Sequence, residues 1–267
     1  RCMEEATLVP TVLLLGLAAT LLICSTVLLL TIFNDRRLKE LYLVFSVKFV
    51  VDVLTTVAVL SICAFVLNGE GQTPAVLILS TIVLLSQNAL LLCESMDWLF
   101  ATFDAVAFHH FTQTRRILPY ALGTLTVLAI LILLLCLQLY VGDAYAVLAE
   151  ELTTSVSLVL VLAAFVIMLL IVQRQHNCSY SSQIKFHVYL CLSLTLLPMA
   201  SLTACSWCAA TDLLTPPTLL LVRQFVLLSV LLHSFLHTCH FFRRHEDVKL
   251  AAVRMTKRLL CCCSVGT

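Results

Sequence analysis

Seven stretches of the chain, at about 8–33, 41–67, 74–108, 117–140, 153–173, 185–209 and 216–242, stay apolar for more than twenty residues each. At ~1.5 Å rise per residue, each is long enough to cross a hydrocarbon layer ~30 Å thick. A span inside lipid must satisfy its own backbone, so each stretch is expected to be a helix. Only 6 glycines and 6 prolines punctuate the 267 residues, which favours long, uninterrupted helices. Hydrophobic residues make up 61% and charged residues 12%, a balance that no soluble domain can bury. The predicted fold class is therefore an all-α membrane protein, a seven-transmembrane helix bundle over residues 1–242. Its connections are short, so consecutive helices are expected to be antiparallel neighbours.

Net charge is only +1, but its distribution is lopsided. The first, third and fifth connections and the tail hold Arg36, Arg37, Lys39, Arg115, Arg116, Arg174, Lys185, Arg243, Arg244, Lys249, Arg254, Lys257 and Arg258. The opposite side holds Arg1 alone among the cations, against Glu4, Glu5, Glu70, Asp143, Glu150, Glu151 and Asp212. Positive charge stays in the cytoplasm, which predicts an extracellular N-terminus and a cytoplasmic C-terminus in the plasma membrane. The first residue is not Met, so further sequence is expected to precede it. The first span is too long for the apolar core of a cleaved signal peptide.

The third stretch turns acidic without ceasing to be apolar: LLLCESMDWLFATFDAVAF. Glu94, Asp97 and Asp104 fall at i, i+3 and i+10, on one helical face. A carboxylate at membrane depth costs at least ~2.5–3.5 kcal/mol, so that face should meet protein or a wet cavity. This helix should be central. Alternatively, the acids stay protonated and hydrogen-bond to neighbours.

On the second span Lys48 and Asp52 stand at i,i+4, the spacing of an intramembrane ion pair. Pro198 lies mid-span in LTLLPMAS, where it frees a carbonyl and kinks the helix, as a pivot or a fixed bend. The seventh span carries Arg223, His233, His237 and His240 along one stripe, a natural basic partner for the acidic face of the third. The segment RRHEDVKLAAVRMTKRLL reads as an amphipathic cationic helix on the inner leaflet, within a cytoplasmic region 243–267. Cys261, Cys262 and Cys263 follow as expected palmitoylation sites. The connection NDRRLKE is expected to be a polar turn and YVGDAYAVLAEE a short, acidic outer loop without Cys. Most other cysteines read as small buried residues, while one disulfide among Cys2, Cys205 and Cys208 is allowed. Asn177-Cys178-Ser179 fits a glycosylation acceptor but falls on the cytoplasmic side.

Several function classes are then testable. His233-Ser-Phe-Leu-His237 has the i,i+4 spacing of a shared zinc ion, so a seven-helix metal hydrolase using His233 and His237 is the alternative reading. It lacks histidines on the first two spans. A transporter would show paired helix breaks in two halves, and only Pro198 is a strong break. The seventh span has no Lys for a Schiff base, which argues against retinal. No cofactor is expected, and nothing points to nucleic acid.

Several positions together resemble the rhodopsin-like G-protein-coupled receptors. Asp52 stands at the family's helix 2 Asp, and Cys24 at its helix 1 Asn. Phe103-Asp104-Ala105 stands at the DRY motif, followed by VAFHHF. Pro198 matches the helix 6 proline, His233-Ser234-Phe235-Leu236-His237 takes the NPxxY position, and the tail with its cysteines resembles helix 8 and its acylation site. The chain departs from the pattern at the DRY arginine, at NPxxY, at the helix 4 Trp, at Leu196 for the toggle Trp and at Leu79 for the bridging Cys.

The resemblance implies a receptor, not an enzyme, that passes an extracellular signal to a heterotrimeric G protein. It also implies a lock at the base of helix 3. Here that lock has inverted sign, with Asp104 as the acid and Lys48, or Arg115 and Arg116, as the base. The family's sodium pocket maps to Asp52, Cys93, Ser229 and His233, where an Asp52–His233 hydrogen bond is the expected substitute. The acidic outer face would steer a cationic peptide or amine.

Overall fold

The computed structural model describes residues 2–70, 73–103, 123, 129, 143–174, 181–210 and 216–264. Every element among them is helical. The helices are α1 (Cys2–Asn34), α2 (Arg36–Leu41), α3 (Leu43–Leu67), α4 (Pro74–Phe103), α5 (Asp143–Arg174), α6 (Ser181–Cys191), α7 (Leu197–Ala210), α8 (Pro216–Arg244) and α9 (Glu246–Ser264). A π turn, Leu192–Leu196, joins α6 to α7. Six segments are long and apolar enough to cross a membrane: Leu8–Asn34, Phe45–Leu67, Ala75–Leu99, Glu151–Arg174, Lys185–Ala209 and Thr218–Arg244. They correspond to six of the seven predicted spans. The remaining one, 117–140, lies outside the described residues.

The surface confirms the solvent. Ile23, Leu54, Val159 and Tyr189 are each more than 60% exposed, while Lys48, Asp52, Asn88 and Glu94 are buried. That inverts the soluble-protein rule and suits helices whose outer faces meet lipid. The chain is a multi-pass membrane protein.

The spans close into a ring. α1 packs on α3, α3 on α4, α4 on α5, α5 on α6 and α7, α7 on α8, and α8 back on α1. α8 also reaches across to α3 and α4, so the interior is where these three meet. One large core (Leu14, Leu21, Ile62, Val83, Met168, Met199, Leu202 and Leu231 among its members) runs through the ring. A second core joins Leu28, Ile32 and Leu38 to Phe49, Phe241, Val248 and Ala251, and this docks α9 on α1 and α8.

Three connections repay attention. NDRRLKE is not a plain turn but holds α2, because the Asp35 carboxylate accepts from the N–H of Arg37 at 3.0 Å and of Leu38 at 3.4 Å. That is an N-cap, satisfying donors that a short helix would otherwise expose. α3 ends at Gly69 with φ +81°, Gly69 donating to Val66 at 3.1 Å and Glu70 to Phe65 at 2.8 Å. This paired pattern needs a residue without Cβ strain at positive φ. The predicted outer loop YVGDAYAVLAEE is instead helical from Asp143 onward, as the start of α5. Its alanine- and leucine-containing sequence has no breaker after Gly142, so propensity carries the helix outward.

Pro198 sits one residue into α7, directly after the π turn. Proline has no N–H for the carbonyl of Leu194, and the backbone widens there, with Leu197 N–H donating five residues back to Leu192. The kink predicted at Pro198 is thus a local change of helix type.

Candidate functional site

The interior holds a charged cluster on three helices. Lys48 and Asp52 of α3 share a face, and their Nζ and Oδ2 stand 3.7 Å apart. From α4, Glu94 Oε1 lies 3.9 Å from the same ammonium. From α8, the Ser234 hydroxyl donates to Asp52 Oδ1 at 2.5 Å and accepts from Lys48 Nζ at 3.4 Å. Gln87 of α4 completes the shell, its Nε2 donating to Asp52 Oδ1 at 3.1 Å and to Thr55 Oγ1 at 2.9 Å. Lys48 is 3% exposed and Asp52 0%. An ammonium removed from water needs such compensation, and here two carboxylates and a hydroxyl supply it.

Glu94 links this cluster to a second one. Its Oε2 lies 3.8 Å from His237 Nε2 on α8. The His237 ring stands 5.0 Å from that of His187 on α6, which contacts Trp98 of α4 at 4.8 Å and His240 at 5.4 Å. His240 in turn stacks on Phe186 at 5.4 Å. Polar and aromatic contacts therefore run without a break from α3 through α4 to α8 and α6. The site is a coupling between helices, with Glu94 at its hinge.

Several predicted residues meet here. The Lys48–Asp52 pair forms at its expected spacing, and the acidic face of α4 meets the histidines of α8 through Glu94 and His237. Asp97, one turn on, is half-buried. Asp104, the acid of the predicted lock, lies outside the described residues, as do Arg115, Arg116 and the acceptor sequence at Asn177. Lys48 itself is occupied by Asp52 and Glu94.

Other expectations need correction. Asp52 takes its hydrogen bonds from Ser234 and Gln87, not from His233, because position 234 and not 233 faces α3. Of the four positions mapped to a sodium pocket, Ser229 donates to its own helix, at Phe225 O, 2.9 Å. Nor is the stripe on α8 one site. Arg223 is buried about 21 Å along the helix from His237, near the tie between Gln224 Nε2 and Thr11 Oγ1 at 3.1 Å. Among the described residues, Cys205 and Cys208 are not joined to each other in a disulfide, and the side chain of Cys2 lies outside the description. The backbone of Cys261, Cys262 and Cys263 forms the last turns of α9.

His187, Gln87 and Ser234 were not singled out by sequence. Gln87 is polar within an apolar run, a usable signal, and its neighbour Asn88 is wholly buried, with no hydrogen-bond partner for either side-chain polar atom among the described residues. His187 lacked any signal, since it lies near a basic helix start. Among the described residues, no three His, Cys, Asp or Glu side chains converge as a metal ion would require.

A second polar cluster lies where α8 gives way to α9. The Tyr42 hydroxyl contacts Asp247 Oδ1 and Oδ2 at 3.1 and 3.0 Å and His245 Nδ1 at 2.9 Å. A phenol has one proton, so if Asp247 receives it, the His245 ring N–H donates to the Tyr42 oxygen. Burial, reinforced by Asp247, pushes the Tyr42 phenol up to about 12. Burial, assisted by Arg244 and His240 and opposed by Asp247, holds His245 below the usual histidine range. The tyrosine pins the start of α3 to α9. No family model and no curated protein matches this chain.

Proposed function

We propose that this protein is an atypical rhodopsin-like receptor of the plasma membrane, with seven spans and an extracellular N-terminus. It transduces an extracellular ligand to a heterotrimeric G protein on its cytoplasmic face. The observation that carries this reading is the buried Lys48–Asp52–Glu94–His237 network, which joins α3, α4 and α8 where they cross. A structural core would be more stable with apolar residues of similar size, so an expensive charged cluster is better explained as a switch. It has the form of one: Glu94 can keep Lys48 or His237 as partner as α8 shifts, and each choice favours a different packing of three helices.

The sequence resemblance adds the direction of signalling. Asp52 and Pro198 match family positions, and the π turn beside Pro198 is where α6 could swing against α7. The basic end of the bundle, with Arg36, Arg37, Lys185, Arg243 and Arg244, is assigned to the cytoplasm and to the transducer. His237 has Glu94 and His187 for neighbours, an arrangement that favours a polar relay over the zinc hydrolase chemistry read from His233 and His237.

The test is guanine-nucleotide exchange on a panel of purified heterotrimers, catalysed by the full chain in nanodiscs. Exchange above that of empty discs on at least one heterotrimer is expected. Exchange at the empty-disc level by wild type and by Lys48→Met, both shown to be folded, would refute the receptor reading.

A further inference from the structure

We propose that the cleft beside α2 binds the headgroup of a polyanionic phospholipid of the phosphoinositide class. The cleft has a volume of about 960 Å³ and is lined by Phe33, Asn34, Arg36, Arg37, Lys39 and Leu41, among others. It adjoins a second cavity of about 250 Å³ that shares Asn34 and Arg36 and is closed on its far side by Arg254 and Met255 of α9. Arg36, Arg37 and Lys39 are all exposed. Asp35, beside the cleft, is already engaged: it caps α2 and lies 3.9 Å from Arg254. Among the described residues, Arg37 and Lys39 have no carboxylate partner. Three cations around one cleft call for more than the single charge of a phosphodiester, and guanidinium forks favour phosphate.

The apolar side of the cleft specifies a lipid. Ile23, Val27 and Leu30 of α1 are 65%, 39% and 55% exposed and stand at i, i+4 and i+7. Asn34, at i+11, brings the same ridge into the cleft. An acyl chain lying on that ridge would deliver its headgroup to Arg36, Arg37 and Lys39, with Phe33 and Leu41 at the apolar rim. Phe33 also holds Lys39, whose Nζ stands 5.4 Å from the ring centroid. Because α2 leads into α3 and Arg254 sits on α9, an occupied cleft would brace both against α1. This inference rests on the multi-pass membrane fold and not on coupling to a G protein.

The experiment titrates fluorescently tagged full chain, in dodecyl maltoside micelles, with dioctanoyl phosphatidylinositol bisphosphate, reading binding by microscale thermophoresis. Saturable binding is expected, weakened about thirtyfold in Arg37→Gln/Lys39→Gln. An equal loss of charge outside the cleft, Arg243→Gln/Lys257→Gln, should change it less than about threefold. All four side chains are exposed, so folding should survive, and matching melting curves would verify it. Lys39→Gln alone serves as the second variant, with an intermediate loss. Equal losses in the two double variants would overturn the site in favour of diffuse surface charge. Equal affinity for dioctanoyl phosphatidylserine would do the same. Equal affinity for free inositol trisphosphate would overturn the lipid as its occupant.

Discussion

Replacing Lys48 by Met removes a charge while keeping an unbranched chain of similar length. The ammonium stands 3.7 Å from Asp52 and 3.9 Å from Glu94, and each pair at such distances is worth about 4 kcal/mol at an effective dielectric of 20. The gross loss of about 8 kcal/mol is offset by no longer desolvating the ammonium. Deleting one partner of a buried pair costs a net ~3–5 kcal/mol, because the other is left buried and uncompensated. At ~2–4 °C per kcal/mol for a chain of this size, the melting midpoint should fall by roughly 6–20 °C. The assay is a thermal melt in detergent at a fixed scan rate, since membrane proteins unfold irreversibly. Adding Asp52→Asn should recover a large part of the loss, because Glu94 would keep His237 as its neighbour. A midpoint for Lys48→Met within about 2 °C of wild type would refute the reasoning. So would an Asp52→Asn effect that simply adds to that of Lys48→Met, since groups in contact should couple.

Ser234→Ala removes one of two side-chain donors to the buried Asp52 carboxylate and should cost about 1.5–3 kcal/mol, measured by the same melt and absent when Asp52 is already Asn. Tyr42→Phe should loosen α9, seen as faster amide exchange over 246–258 with the six spans unaffected. His245 has a lowered value in the folded state, so its contribution is intact above the ordinary 6.5 and is lost as pH falls below that towards the folded value. Exchange in α9 should therefore rise on acidification from pH 7 in wild type and much less in His245→Gln. Pro198→Ala should restore ordinary helical bonding across 192–198 and slow amide exchange there; unchanged exchange would show that the π turn does not depend on proline. The proposed seven spans would place the termini on opposite sides of the membrane, so on that reading a C-terminal epitope should stain only after permeabilisation and an N-terminal one before it.

Much of the fold was legible because bilayer thickness and backbone satisfaction leave few choices for a run of apolar residues. Both ends of α3 and α8 and the start of α4 fall within a few residues of the predicted runs for that reason. The ion pair was legible too, since i,i+4 spacing alone brings Lys48 to Asp52. Rotation of one helix against another was not. Whether position 233 or 234 of α8 faces Asp52 depends on a turn of about 100° per residue, which helical spacing within α8 does not determine. The same limit hid Gln87, and made Arg223 and His237 look like one stripe although their separation along α8 puts them in different surroundings. The helical character of 36–41 depended on one cap, Asp35, whose acceptor role the sequence allowed but did not require.

The central claim is that Glu94, shared between Lys48 and His237, holds α3, α4 and α8 in one resting arrangement. Glu94→Gln keeps the shape and removes the charge, so it tests that claim with little disturbance to packing. The measurement is basal guanine-nucleotide exchange in membranes from cells expressing wild type and Glu94→Gln at matched surface level. The account predicts basal exchange several-fold above wild type, reversed when Lys48→Met is added. Unchanged exchange in Glu94→Gln, with a heterotrimer that wild type demonstrably activates, would contradict it and leave the buried charges a structural feature only.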